Sequence, residues 1–324
     1  MPKSIIIKKN GGPEVLEIAE VKIGSPGPHE IKIKNLAIGL NYIDTYHRSG
    51  LYPLTLPSGI GLEGAGKVIE IGSNVKIFNI GDDIAYASTP IGAYAEERII
   101  PEKIAVKIPE GITHKIAATL MTKGLTTFYL LHKTFPVKSG QKILFHAAAG
   151  GVGQIAGQWA RSIGAIAIGV VGNKNKEEYA RKCGYKFVFN MEDHDIVSEI
   201  MKITNNKGVD VVYDSVGLTT WNISLSCVKK LGLIVSFGSA SGNPPLYDIA
   251  KDGIKNSAFI HRATMVNYMT SSKIARDSAA RVFEKIKNKE IQLNLNKNYQ
   301  LKDVKIVHRD AEARKTIGQI VMKV

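Results

Sequence analysis

Apolar positions recur with two different periods along this chain, and the change of period divides it. Up to about residue 120 they form short strand-like runs, at Ser4–Lys8, Glu30–Leu40, Gly66–Ile71, Asp83–Ala87 and Tyr94–Ile99. Turn formers separate the runs: Gly11-Gly12-Pro13, Pro26-Gly27-Pro28, Gly72-Ser73-Asn74 and Gly81-Asp82. Apart from a short helix near Tyr42–Arg48, this reads as a β-barrel-like region. Thr113 to about Lys133 reads as helical with a break near Lys123-Gly124, and the domain crossing is placed there. Strand and helix patterns then alternate. Strands are expected at Ile143–Phe145, Ile166–Val171, Phe187–Phe189, Val209–Tyr213 and Leu233–Phe237, and helices at Lys176–Cys183, Asp195–Thr204 and Thr219–Lys230. Such alternation implies a doubly wound parallel sheet with helices on both faces. From about His261 the pattern changes to a long amphipathic helix, Lys273–Lys287, then two short strands and a closing helix–strand pair. That tail is expected to pack back on the first region. The expected division is 1–122 with 263–324, and 123–262.

The most informative stretch is Gln141–Gly164. Ile143 to Phe145 has strand character, a small-residue turn follows, and then Val152, Ile155, Ala156, Trp159, Ala160 and Ile163 mark one face of a helix that ends at Gly164. Strand, glycine turn and helix open a dinucleotide-binding βαβ unit. A pyrophosphate must approach the backbone closely, and Gly150, Gly151 and Gly153 keep that space clear. The helix N-terminus offers free N–H groups and a positive dipole. Ala148 stands where the first glycine of G-x-G-x-x-G belongs, so a tight turn without a ligand is the competing reading.

Composition narrows the classes. With 324 residues and 44% hydrophobic content, the chain has material for one large or two smaller cores. No apolar run approaches the roughly 18 residues that span a membrane. The N-terminus lacks the apolar core and cleavage site of a secretory signal, so a cytoplasmic location is expected. The two cysteines, Cys183 and Cys227, form no C-x-x-C pair and no disulfide framework is expected. The net charge of +14 is uneven: residues 1–122 carry 13 basic and 13 acidic side chains, so the excess lies beyond them. A basic half fits an anionic partner such as a nucleotide or a nucleic acid, and equally a lysine-rich solvated surface.

The second strand of the βαβ unit should end near Val171. An NAD site places a carboxylate there, on the ribose hydroxyls. Here Gly172-Asn173-Lys174-Asn175-Lys176 follows. An ammonium attracts a 2′-phosphate that a carboxylate would repel. The expected cofactor is therefore NADPH, with Lys176 as the main phosphate partner, unless Lys174 and Lys176 are ordinary solvent-facing loop residues.

The stretches GGPEVL at Gly11–Leu16, AIGLNYIDTYHRSGLYP at Ala37–Pro53, GLEGAGKV at Gly61–Val68, FHAAAGGVGQIA at Phe145–Ala156, VVYDSVG at Val211–Gly217 and VSFGSASG at Val235–Gly242 carry a resemblance that covers the chain. Together they resemble the zinc-free quinone oxidoreductases of the medium-chain dehydrogenase/reductase superfamily, the group that includes zeta-crystallin. The resemblance implies a GroES-like catalytic domain, a Rossmann cofactor domain and a homodimer. It also implies hydride transfer from NADPH to a quinone or an activated alkene. By position, Tyr42, Ile43, Asp44, Thr45, Tyr46, Tyr129, Gly151 and Val152 would contact the cofactor, and Gly172, Asn173 and Lys176 would meet its adenosine phosphate end. Ser215, Phe237, Gly238, Ser239, Ala240, Ala263, Thr264, Met265 and Arg314 would complete that site. Asn41, Tyr46 and Tyr52 would line the substrate side. Met191 stands where related bacterial enzymes often carry a tyrosine near the adenosine, and Ala263 replaces a proline common in that loop.

The zinc-dependent relatives need thiolate and imidazole ligands. Residues 1–122 contain no cysteine, and Leu62 occupies the histidine position of the relatives' G-H-E sequence, so no metal is expected. Polarisation of the acceptor then falls to hydrogen bonds from Asn41, Tyr46 and Tyr52, with Tyr52 the candidate proton source and plain aromatic packing the alternative for both tyrosines. An enone or enoyl-thioester reductase on the same fold would use the same donors. An RNA-binding protein with a vestigial nucleotide site is the rival of another class. No RNA motif and no aromatic cluster in a basic run support it, so nucleic acid is not expected as a partner.

Overall fold

The computed structural model describes residues 1–295 and 299–324. In chain order its strands are β1 (Lys3–Ile7), β2 (Glu17–Glu20), β3 (Glu30–Gly39), β4 (Ser58–Gly59), β5 (Glu63–Ile71), β6 (Asp83–Ala87), β7 (Glu97–Pro101), β8 (Ala105–Lys107), β9 (Lys142–His146), β10 (Ile166–Val171), β11 (Phe187–Asn190), β12 (Val209–Asp214), β13 (Val228–Ser236), β14 (Phe259–Arg262), β15 (Tyr299–Gln300) and β16 (Val321–Lys323). The helices are α1 (Tyr42–Ser49), α2 (His114–Ala117), α3 (Met121–Tyr129), α4 (Gly151–Ile163), α5 (Glu177–Lys182), α6 (Ile196–Thr204), α7 (Trp221–Cys227), α8 (Ile249–Asn256), α9 (Met265–Tyr268), α10 (Ser272–Lys287) and α11 (Val304–Glu312). Two compact units result. Unit one is Met1–Leu125, Met269–Lys289 and Leu293–Val324; unit two is Thr126–Tyr268 with Glu290–Gln292.

Unit one is built on a sheet of order β15-β16-β3-β5-β6-β8, with β7 also on β3, and a small sheet β2-β1-β4. Alternation along β3 buries Ile31 and Ile33 on one core, while Ile38 joins another with Ile5, Ile7, Tyr94, Val304 and Met322. The closing strand β16 pairs antiparallel with β3, so the C-terminal tail belongs to this unit.

Unit two is a six-stranded sheet of order β11-β10-β9-β12-β13-β14, and every pairing in it is parallel. Its inner strands read as near-continuous apolar runs because both faces are covered. The order reverses between β9 and β12, and ligands of such sheets bind outside the carboxyl ends of the strands at that reversal.

Two local expectations fail, each because packing overrides local pattern. Gly124 lies inside α3 and does not break it; the interruption falls at residues 118–120. A Cβ at Gly124 would sit 2.6 Å from Cγ1 of Val282, so this glycine is a packing notch for α10. The helix expected over Thr219–Lys230 stops at Cys227, because Val228 pairs with Val209 of β12 and joins the unit-two core. Neither α8 nor β14 was expected. Of the two short strands expected after α10, β15 is described, and residues 296–298 lie outside the described residues.

Candidate active site

Unit two gathers most of the nominated residues along one edge. The turn after β9 starts with Ala147 in the left-handed region, φ 56°. Gly150 caps α4, and its carbonyl receives the N–H of Gln154 at 2.9 Å. A Cβ at Gly153 would lie 2.5 Å from the carbonyl oxygens of both Ala147 and Ala148. Ala148 is fully buried where a glycine is usual, and Gly169 of β10 makes the room: a Cβ there would be 2.8 Å from that of Ala148. Val152 is half-buried at the start of α4.

Past β10, Gly172 faces open space, since a Cβ on it would meet nothing within 4 Å. Asn173 Oδ1 is buried with no hydrogen-bond partner among the described residues, as an atom reserved for a ligand would be. Lys176 is half-buried and Lys174 exposed. The carboxylates next in sequence are engaged, Glu177 accepting from Asn190 and from Arg181 and Glu178 pairing with Lys182 at 2.6 Å, and Asp193 beyond β11 accepts from Asn190 at 3.3 Å. Met191 follows β11, and its N–H donates to Val171 O at 3.1 Å.

The next three strand ends carry the rest. Asp214 closes β12 and is buried. Its Oδ1 accepts the N–H groups of Val216 and Gly217 at 2.8 and 3.0 Å, which fixes the loop containing Ser215. Ser224 Oγ donates to Asp214 Oδ2 at 2.7 Å, so it can only accept from His146, whose Nε2 lies 3.0 Å away. Burial lowers the pKa of His146 in spite of the nearby Asp214 carboxylate. This buried chain ties the ends of β9 and β12 together where the strand order reverses. Phe237 and Ala240 donate backbone N–H groups to Asp214 O and Ser215 O, and the Phe237 ring packs 5.7 Å from Phe145. Gly238 must be glycine, as a Cβ would lie 2.5 Å from Ser215 O. Ser239 is buried here too, and Ala263 donates to Ser236 O just before Thr264 and Met265. Tyr129 is buried, its ring stacked on Tyr268 at 4.4 Å, and burial pushes its phenol up to about 12.

In unit one the nominated residues centre on α1, directly after β3. Asn41 is its N-cap, and the Asn41 N–H donates to Asp44 Oδ2 at 2.9 Å. Asp44 and Thr45, nominated for the cofactor, are turned inward. Asp44 is fully buried and accepts from Tyr94 Oη at 2.8 Å, and Thr45 Oγ1 donates to Tyr42 O. Burial raises the Asp44 carboxyl to about 7, against the pull of these donors. Tyr46 packs edge-on between Tyr42 and Tyr52, at 5.5 and 5.2 Å. Tyr42, Ile43 and Tyr52 are half-buried. Burial raises the Tyr42 phenol, and the Arg314 charge opposes this, so Arg314, at φ 55°, lies within electrostatic reach of α1.

Sequence reasoning missed two side chains beside Asn41. Glu63 is fully buried and accepts from Asn41 Nδ2 at 2.7 Å and from the Thr122 N–H at 2.8 Å; Lys123 Nζ is 3.6 Å from it. The signal was a carboxylate set among small apolar residues, Gly61-Leu62-Glu63-Gly64. A second cluster pins α1 to α11. Arg48 donates to His308 Nδ1 at 3.0 Å and to both carboxylate oxygens of Glu312. Burial, then the Arg48 charge, push His308 down to about 3.

Two family models match this chain: an alcohol dehydrogenase GroES-like domain over residues 27–110 and a zinc-binding dehydrogenase over residues 151–283. A quinone oxidoreductase of Pseudomonas aeruginosa is 42% identical over 323 residues, 99% of each chain. The crystal structure of Escherichia coli quinone oxidoreductase complexed with NADPH superposes with a TM-score of 0.97 at 41% identity, covering 99% of this chain and 100% of that one. A 2-haloacrylate reductase of a Burkholderia species is 38% identical over 329 residues, 99% of each chain. Among the described residues, no group of three or more His, Cys, Asp or Glu is placed to hold a metal ion, and no helix is long and apolar enough to cross a membrane.

Proposed function

The chain belongs to the quinone oxidoreductases of the medium-chain dehydrogenase/reductase superfamily, and from that premise we propose that it reduces quinones with NADPH. The observation that carries this reading is the cleared carboxyl edge of unit two in a chain alike over its full length to such enzymes. The turn that Gly150 and Gly153 keep clear fits a dinucleotide phosphate, and the orphaned Asn173 oxygen, an acceptor, fits a ribose hydroxyl that donates to it. Gly150, Gly151 and Gly153 with the α4 N-terminus would receive the pyrophosphate, Lys176 the 2′-phosphate, and Asn173 the ribose that carries it. Ser215, Phe237 to Ala240 and Ala263 to Met265 line the same edge.

When bound, NADPH supplies the hydride. The protein's own part is to orient and to stabilise charge. A quinone that gains a hydride develops negative charge on oxygen, and donors aimed at that oxygen lower the barrier. Asn41 and Tyr46 are assigned that role, and Tyr52 the delivery of the proton. The 2-haloacrylate reductase relative favours a second reading, with an activated alkene as acceptor. Steady-state NADPH oxidation against a panel of quinones, enones and 2-haloacrylates tests both. Turnover with quinones is expected, and turnover with alkenes alone would shift the assignment.

We also propose a homodimer in the cytoplasm. The edge strand β14 leaves Phe259 and Ile260 exposed, and Ile249 and Ile254 of α8 are exposed as well. Two free buried cysteines suit a reducing compartment. Light scattering on a sizing column should give twice the chain mass of 35.3 kDa.

A further inference from the structure

Glu63 and Lys123 form an ion pair inside unit one with almost no access to water. Space for it is built into the sheet. Gly39 of β3 faces Glu63, and a Cβ there would lie 3.0 Å from Glu63 Oε2 and 2.0 Å from the Ala118 carbonyl oxygen. Taking two charges out of water is expensive, and a packed hydrophobic pair of similar volume is often as stable or more so. Stability therefore does not account for this pair.

Its effect on Asn41 does. A side-chain amide presents one nitrogen with two hydrogens and one oxygen. A carboxylate accepts from the nitrogen and repels the oxygen, so Glu63 Oε2, at 2.7 Å, holds Asn41 with its nitrogen inward. One N–H is spent there, and the direction of the other is fixed. Lys123 has a second consequence. Negative charge that grows near Asn41 meets a paired carboxylate, not a lone one.

We propose that Glu63 and Lys123 are positioning residues for quinone reduction, their ion pair locking the Asn41 amide so that its second N–H is the donor to the acceptor oxygen. This rests on the function proposed above. The Glu63 contact with Thr122 N–H, at 2.8 Å, holds the carboxylate from its other oxygen. The anchor is thus fixed at both ends.

The test uses the full chain with 1,4-benzoquinone and 4-deuterated NADPH. Glu63→Gln keeps the shape but lets the amide turn over; Lys123→Met removes the counter-charge. Each should lower kcat about tenfold, as a small misplacement of a reacting group does. The dissociation constant for NADPH should stay within about twofold, because the loss is confined to the transition state. The deuterium isotope effect on kcat should rise as hydride transfer becomes limiting, which a general loss of stability would not produce. The double variant should be no slower than the slower single, since the pair acts as a unit. Lys123→Arg should recover most of the loss. Independently of turnover, the Asn41 side-chain amide protons, assigned by their disappearance in Asn41→Asp, should exchange slowly in the wild type and faster in both single variants. Wild-type kcat in both single variants, or an unchanged Asn41 amide, overturns the proposal. A wild-type chain that reduces no quinone while the amide protons respond as expected sinks the functional reading and its kinetic consequence, and leaves the lock standing.

Discussion

The two units prepare for a substrate in opposite ways. Unit two clears space: its turn is built of alanine and glycine, and the larger side chains below it, Asp214, Ser224 and His146, stay buried. Unit one fills space. Asn41, Asp44, Glu63, Lys123 and Tyr94 crowd around the start of α1 with charges and hydroxyls that have little access to water. A ligand held by backbone N–H groups and a helix dipole needs clearance and little else. A reaction that builds charge on a small acceptor needs donors whose direction is fixed. On the function proposed above, binding and chemistry then fall to different materials within one chain.

The sharpest break of that contrast is at Gly153. A methyl there meets two backbone carbonyl oxygens at 2.5 Å that cannot turn away. Gly153→Ala should weaken NADPH binding by about a thousandfold, on the order of 4 kcal/mol, as read by calorimetric titration. Thermal stability should fall as well, by ~1–3 kcal/mol as overpacking costs. Next comes Asn41→Ala, which should cut kcat about a hundredfold, the usual loss of one charge-stabilising donor, with NADPH affinity nearly unchanged. Lys176→Ala should then cost NADPH about tenfold in affinity, ~1.4 kcal/mol, and leave NADH unaffected. A parallel titration with both cofactors reads the difference.

The smallest effect concerns pH. Asp44 holds its proton up to about 7 in the fold, because burial disfavours the charged form, whereas an unfolded aspartate releases it near pH ~3.9. Between those values the folded chain binds more protons than the unfolded one. Its stability therefore falls as pH rises through that window and stays lower above it. Asp44→Asn keeps an oxygen for the Asn41 N–H and the Tyr94 hydroxyl, so urea midpoints at about pH 5 and about pH 8 should converge. A variant as pH-dependent as the wild type would place the titration elsewhere.

The same contrast explains what the sequence could reveal. The glycine turn is local: strand, turn and helix are contiguous, so their period and residue types disclose the βαβ unit and the charge at the tip of β10. The unit-one cluster is not local. Glu63 reaches Asn41 across 22 positions and Thr122 across 59, and no periodicity records which distant side chains converge. Gly124 was misread for the same reason, because the partner that needs its missing side chain is Val282. The strand β14 escaped notice because, as a largely exposed edge, it shows no buried alternation. Asp44 was nominated through resemblance, and only burial reveals that its carboxylate is turned inward.

Reduction of a quinone by a dinucleotide bearing a 2′-phosphate is the step on which the roles of both units depend. Single-turnover mixing of the wild-type chain, preloaded with NADPH or with NADH, against excess 1,4-benzoquinone tests it directly. Rapid oxidation of NADPH, with NADH bound more weakly and oxidised only at higher loading, is the predicted result. Equal or tighter handling of NADH, or NADPH left reduced in the presence of every quinone, would contradict it.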